Sequence, residues 1–221
     1  MNKKEILKSF LKVAVLAFLA GIFISLGGTV YLALYNINKI VGALLFGIAL
    51  FTIIFFGFHL YTGKIGNIFD NKPIYLLELL TSFIFNIGGA MLTAFLISLT
   101  RQGSTLIENA KIICEAKIND TWYSILILSF FCGWLIYLAV KAKSITDNQV
   151  IRMCFIFLAI IVFILSGFEH VIANACYFTY AGFYNWKTFG YLMLMLLGNS
   201  LGSIAFDGLL KLVEKLKNKD K

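Results

Sequence analysis

Between Val13 and Leu34 the sequence runs without a single charged residue, which restricts the environments in which this stretch can be stable. A helix needs roughly 20 mainly apolar residues to cross the hydrocarbon of a bilayer. Five further runs follow, near 40–58, 76–100, 122–140, 150–167 and 188–210, each with at most one acidic or basic residue and each bounded by charge or turn residues. In 221 residues that are 60% hydrophobic and 14% charged, one soluble core cannot hold so much apolar side chain, and the surplus must face lipid. The expectation is an all-α membrane protein with six transmembrane helices.

Lys3, Lys4, Lys8 and Lys12 precede the first run much as they would precede a secretory signal, but the run is too long and no small-residue cleavage pattern interrupts it. It reads as the first span, with nothing removed. Within 1–12, Ile6, Leu7, Phe10 and Leu11 fall at helical spacing opposite lysines, which suggests a short interfacial helix.

Orientation follows from the basic residues, which are retained on the cytoplasmic side. Four lie in the N-terminus, two at 64 and 72, three in the 141–152 connection and five at the C-terminus. The opposite loops carry Lys39, Arg101, Lys111, Lys117 and Lys187. Both termini are therefore expected in the cytoplasm, with the chain in the plasma membrane. The net charge of +8 sits at span ends and tails, where anionic lipid headgroups rather than nucleic acid meet it. Cysteines 114, 132, 154 and 176 lack CxxC or Cys/His spacing and read as packing residues, so no metal or cofactor is expected.

The two halves correspond. Span two ends in Gly57-Phe58-His59 and span five in Gly167-Phe168-Glu169-His170, which contain the only two histidines. Spans three and six each place an asparagine three residues before a glycine, in Asn86-Ile87-Gly88-Gly89 and Asn199-Ser200-Leu201-Gly202. Three spans per half put the second half upside down, so the repeats are inverted, and in such folds the substrate path lies between repeats beside interrupted helices. Gly63, Gly66 and Asn67 after His59, and the small and hydroxyl residues from Val171 to Gly182, suit such interruptions of helices two and five. One transmembrane domain over 1–221 is expected, with the interfacial helix at 1–12, the first repeat at 13–105, the second at 118–210 and a cytoplasmic tail at 211–221.

At these residues the chain resembles the formate/nitrite transporter family, whose relatives also carry hydrosulfide. The likeness rests on Gly167-Phe168-Glu169-His170-Val171-Ile172-Ala173-Asn174 and Leu60-Tyr61-Thr62-Gly63. It extends to Ala20-Gly21, Gly27-Gly28, the Trp134 to Val140 segment and Gly198-Asn199. The resemblance implies an aquaporin-like fold, a homopentamer with one pore per subunit, and passage of small inorganic or organic anions without enzymatic chemistry. It further implies a central pore histidine at His170, with Thr62 facing it and Asn199 nearby, and apolar constrictions at Leu60 and Phe163. Lys117 becomes a vestibule lysine that draws anions inward. Gly133 departs from the family, many members having asparagine there.

From the residues alone, His170 reads either as a titrating group, since charging an imidazole at membrane depth is costly, or as a neutral histidine bonded to a backbone carbonyl. His59 is balanced between a structural bond and a pore role. Glu169, on another face than His170, reads as structural, bonded to loop backbone or a neighbouring subunit. Lys117 could be an ordinary solvated loop lysine. Asn86, Gly88, Gly89 and Gly202 read as close helix packing. Two rivals remain at this level: an aquaporin-like channel for neutral solutes, against which the missing Asn-Pro motifs argue, and a membrane redox or haem protein, for which no Cys-x-x-Cys-His pattern exists.

Overall fold

The structure is a computed structural model that describes residues 3–219; the first two and last two residues of the segments expected at 1–12 and 211–221 lie outside it. It is helical, with no strand among the described residues. The elements are α1 (Lys3–Leu34), α2 (Lys39–Phe56), α3 (Tyr61–Lys64) continued by a 3-10 segment (Ile65–Asp70), α4 (Tyr75–Ser98), α5 (Gly103–Ile118), α6 (Trp122–Ile145), α7 (Gln149–Leu165), α8 (Val171–Ala181) and α9 (Trp186–Lys219).

Five of these helices, α1, α2, α4, α6 and α9, are long and apolar enough to cross a membrane, and α7 is slightly shorter. Their outer faces present large apolar residues such as Leu45, Phe55, Leu92, Phe95, Ile127 and Leu158, which in water would be an uncompensated cost. The chain is thus a multi-pass membrane protein. Residues 3–12 form the first turns of α1 without a break. At 1.5 Å per residue the 32 residues of α1 and the 34 of α9 reach about 48–51 Å, beyond the ~30 Å hydrocarbon, so both helices project into water.

One helix lies outside the sequence expectation. The polar 101–121 connection folds as α5 because Leu106, Ala110 and Cys114, four residues apart, bury one stripe while Glu108, Lys111 and Glu115 stay outside. Low mean hydropathy hides such a helix from a search for long apolar runs, although its periodicity is regular.

Two helix pairs dominate the packing, α1 along α4 and α6 along α9. Close approach is possible because glycines meet backbone. A Cβ at Gly21 would collide with the Asn86 carbonyl and one at Gly89 with that of Phe18. On the other pair, Gly133 faces the Asn199 carbonyl and Gly202 that of Phe130. Gly133 is thereby explained by helix contact. Gly88, in contrast, has no neighbour that a side chain would meet.

The halves repeat one local design. Asn38 caps α2 by accepting from the backbone N–H groups of Ile40 and Val41, and Asn148 caps α7 through Val150 and Ile151. Both helices end at a left-handed glycine, Gly57 at φ 69° and Gly167 at φ 68°, a conformation only glycine adopts cheaply. The next residue folds back, Phe58 N–H donating to the Ile53 carbonyl (2.9 Å) and Phe168 N–H to that of Phe163 (3.0 Å). Each helix therefore stops inside the protein, and the chain restarts as α3 or α8.

Candidate functional site

A chain break in an apolar interior leaves backbone amides and carbonyls without partners, each costing several kcal/mol if unmet. Two buried asparagines meet them in the same way. Asn86 accepts from the Tyr61 N–H (2.8 Å) and donates to the carbonyls of Ala17 and His59 (2.7 and 2.8 Å). Asn199 accepts from the Val171 N–H (2.9 Å) and donates to those of Ser129 and Glu169 (2.8 and 2.7 Å). Both amide hydrogens and the oxygen of Asn199 are thus engaged. Asn199, expected among the anion-binding residues, here uses its amide to hold the break.

The two restarts meet at Thr62 and His170. The Thr62 hydroxyl lies 2.8 Å from His170 Nε2, and both residues are buried. His170 is also the N-cap of α8, its Nδ1 accepting from the Ala173 N–H at 3.3 Å. That bond fixes the tautomer, because with Nδ1 accepting, the ring proton sits on Nε2 and donates to Thr62 Oγ1. The Thr62 hydroxyl proton is then left to donate to something else. Its carbonyl is held by the Ser203 hydroxyl at 3.1 Å.

Apolar side chains close this centre. Phe163 packs its ring 6.2 Å from the His170 ring and edge-on to Phe46, and Leu60, the residue preceding α3, is 2% exposed. The structure thus brings Thr62 and Phe163 to His170, with Leu60 buried two residues before Thr62.

Lys117 stands apart from that centre, in the last turn of α5 rather than in a loop. Its position continues the inward stripe of Leu106, Ala110 and Cys114, a signal that the sequence periodicity carries. It forms an ion pair with Glu169, which also accepts from the Asn174 side chain (2.8 Å), so neither reading of a solvated lysine nor of a carboxylate on loop backbone holds. The pair borders a cavity of about 280 Å³ whose walls include Tyr31, Tyr35, Asp120, Phe163 and Tyr177. Phe163 thus borders both the cavity and the His170 ring.

His59 donates its backbone N–H to Leu16 and offers its carbonyl to Asn86, while its Nδ1 is buried without a partner. Cys114, Cys132 and Cys176 are buried as packing residues; Cys154 is exposed.

The comparisons with known proteins agree on one family. The family described as "Formate/nitrite transporter" matches residues 1–213. Among curated relatives, "Uncharacterized transporter YrhG" of Bacillus subtilis (strain 168) is 27% identical over 89% of this chain and 82% of its own length. "Formate channel BtFdhC" of Bacillus thuringiensis is 27% identical over 88% and 83%. "Nitrite transporter NirC" of Escherichia coli (strain K12) is 28% identical over 86% and 79%. The fold matches a solved "Pentameric formate channel with formate bound" with a TM-score of 0.79 and 22% identity, covering 95% of this chain and 98% of that one. An "FNT family ion channel" gives 0.81 and 24%, covering 92% and 90%. These relatives are channels or transporters, not enzymes.

Proposed function

Because the chain belongs to the formate/nitrite transporter family, we propose that it passes small monovalent weak-acid anions, formate, nitrite or hydrosulfide, through a pore within each subunit. The observation that carries this reading is the buried Thr62–His170 pair, set where two interrupted helices begin and flanked by Leu60 and Phe163. A helix start presents partial positive charge, which suits an anion and opposes a cation.

The route has six crossings in two inverted repeats, α7 and α8 together supplying the fifth. The repeated caps, glycine stops and asparagine struts favour this arrangement, as does the alternation of basic residues along the chain. By the same alternation both termini lie in the cytoplasm and α5 lies outside. Five copies assemble, by analogy with the matched pentameric formate channel.

An anion entering from the Lys117 side first meets the polar wall of the cavity, where ammonium and carboxylate hold each other in place. Beyond Phe163 it loses water, and a bare charge in apolar surroundings is far more costly than a neutral molecule. The free Thr62 hydroxyl proton meets the anion there, backed by the His170 Nε2–H. A proton taken up from water at His170 Nδ1 makes an imidazolium; its Nε2 proton passes to Thr62 Oγ1 as the Thr62 hydroxyl proton passes to the anion, so the neutral acid crosses the narrow part and a neutral imidazole is left behind. A proton that arrives at His170 Nδ1 displaces the Ala173 bond, so protonation and the start of α8 are linked.

Proteoliposomes carrying the protein should take up at least one of formate, nitrite and hydrosulfide well above empty vesicles and faster than glycerol. Glycerol uptake without any anion uptake would assign a neutral-solute channel instead. Orientation is tested separately. With the native cysteines removed, cysteines placed in 101–121 should react with an impermeant thiol reagent outside intact cells and those in 141–149 should not; labelling in the opposite sense reverses the topology.

A further inference from the structure

The segment that carries Thr62 is fastened at Thr62 by Ser203 and at Tyr61 by Asn86, and a second time beyond α3. After α3 the chain runs through the 3-10 segment Ile65–Asp70, whose own six residues have too few internal bonds to fix its position. Its backbone lies directly on the Tyr137 ring: a Cβ at Gly66 would come within 2.7 Å of ring atoms Cδ2 and Cζ. The Tyr137 hydroxyl is 2.7 Å from the Asn67 side-chain amide and 2.7 Å from Asp207 Oδ1. One hydroxyl proton cannot serve two acceptors. The two acceptors, Asn67 Oδ1 and Asp207 Oδ1, therefore compete for it.

Asp207 is the hub of this arrangement. It is 2% exposed on α9, yet it pairs with Lys141 at 3.1 Å and with Lys211, and Lys211 reaches on to Asp70 at the end of the segment. A buried carboxylate is retained only when such partners satisfy it. Two of its three partners lead directly to the 65–70 segment, through Tyr137 to Asn67 and through Lys211 to Asp70. The third, Lys141, lies one turn from Tyr137 on α6. The hydrogen bonds and ion pairs of these groups run to one another and to the 65–70 segment, not to the Thr62 or His170 side chains.

We propose that Asp207 is a positioning residue for passage. Through Tyr137 and Lys211 it latches the 65–70 segment, and with it Leu60 and Thr62, in the closed arrangement in which both are buried. Release of the latch lets the segment move off the centre and raises flux. This rests on the reading of Thr62 and Leu60 as pore residues. It is tested first by a measurement that does not depend on flux.

In protein whose four cysteines are replaced and which carries Ile65→Cys, an impermeant maleimide is applied from the side on which α9 ends. Adding Tyr137→Phe keeps the ring under Gly66 but removes the hydroxyl, and should speed labelling about fivefold, the factor for one hydrogen bond of about 1 kcal/mol. In otherwise native protein the same substitution should raise uptake of the transported anion by a similar factor. Asp207→Asn should act in the same direction more strongly, and Asp207→Glu should return both readouts toward native values. Equal labelling with and without the Tyr137 hydroxyl overturns the latch, even if Asp207→Asn fails to assemble. Faster labelling with unchanged uptake in an active protein overturns its control of passage. A protein that labels faster but transports no anion keeps the latch and removes the transport reading.

Discussion

Replacing Lys117 with Gln should lower the thermal stability of the assembled protein by more than the Lys117→Gln/Glu169→Gln double replacement does. The single change leaves the Glu169 carboxylate 4% exposed, with only the Asn174 amide to satisfy it. Removing one partner of a buried ion pair costs about 3–5 kcal/mol, whereas replacing both with neutral groups of similar shape is often near neutral. Flux should follow the charge. With Lys117 gone the mouth keeps an unpaired negative group, so anion uptake should fall, most at low ionic strength and less as salt screens the field over about 8–10 Å. Melting of the purified protein in detergent, together with uptake in two salt concentrations, reads both effects. If single and double variants melt together, the pair contributes nothing that depends on its charges.

How far the sequence alone reaches can be judged residue by residue. Both helix interruptions are legible in it, because each carries the same signal: a glycine to reverse the backbone, a histidine two or three residues on, and an asparagine 27 or 29 positions after that. The five long apolar helices are likewise set by apolar length, with α7 slightly shorter. What stays hidden depends on contacts between distant residues. Glu169 and Lys117 are 52 positions apart, and nothing in either neighbourhood names the other. In the sequence, Tyr137, Asp207 and Lys211 are three unrelated polar residues toward helix ends. Asn199 stands out as important, but whether its amide faces an anion or the backbone is decided only by where Ser129 and Glu169 place their carbonyls. Gly133 reads as a missing pore asparagine until the α9 backbone fills the space beside it. Helix α5 alone is legible in principle, since its stripe ends on Lys117 and so points that lysine inward.

The same distinction between local and distant signals makes His170 the most informative residue to replace. His170→Asn should preserve α8, because asparagine is among the best N-cap residues and its side-chain oxygen can accept the Ala173 N–H that Nδ1 accepts now. Asn199 and Asn86 still hold the breaks, so assembly should be intact. The shorter side chain loses the Nε2–H bond to Thr62, and the site loses its ionisable ring, a group that when unperturbed changes charge between about pH 5 and 8. If the anion crosses by sharing a proton over Thr62 and His170, hydrogen bonds to a charged species are what disappear, at roughly 1.5–3 kcal/mol, equivalent to about a 10- to 150-fold loss of uptake. The remaining flux should also change its pH response, because no titrating ring is left beside the hydroxyl. Uptake of formate, nitrite and hydrosulfide in proteoliposomes across that pH range measures both consequences. Superimposable curves for the native and substituted proteins, at every pH and for every transported anion, would falsify the mechanism and leave His170 as a cap for α8.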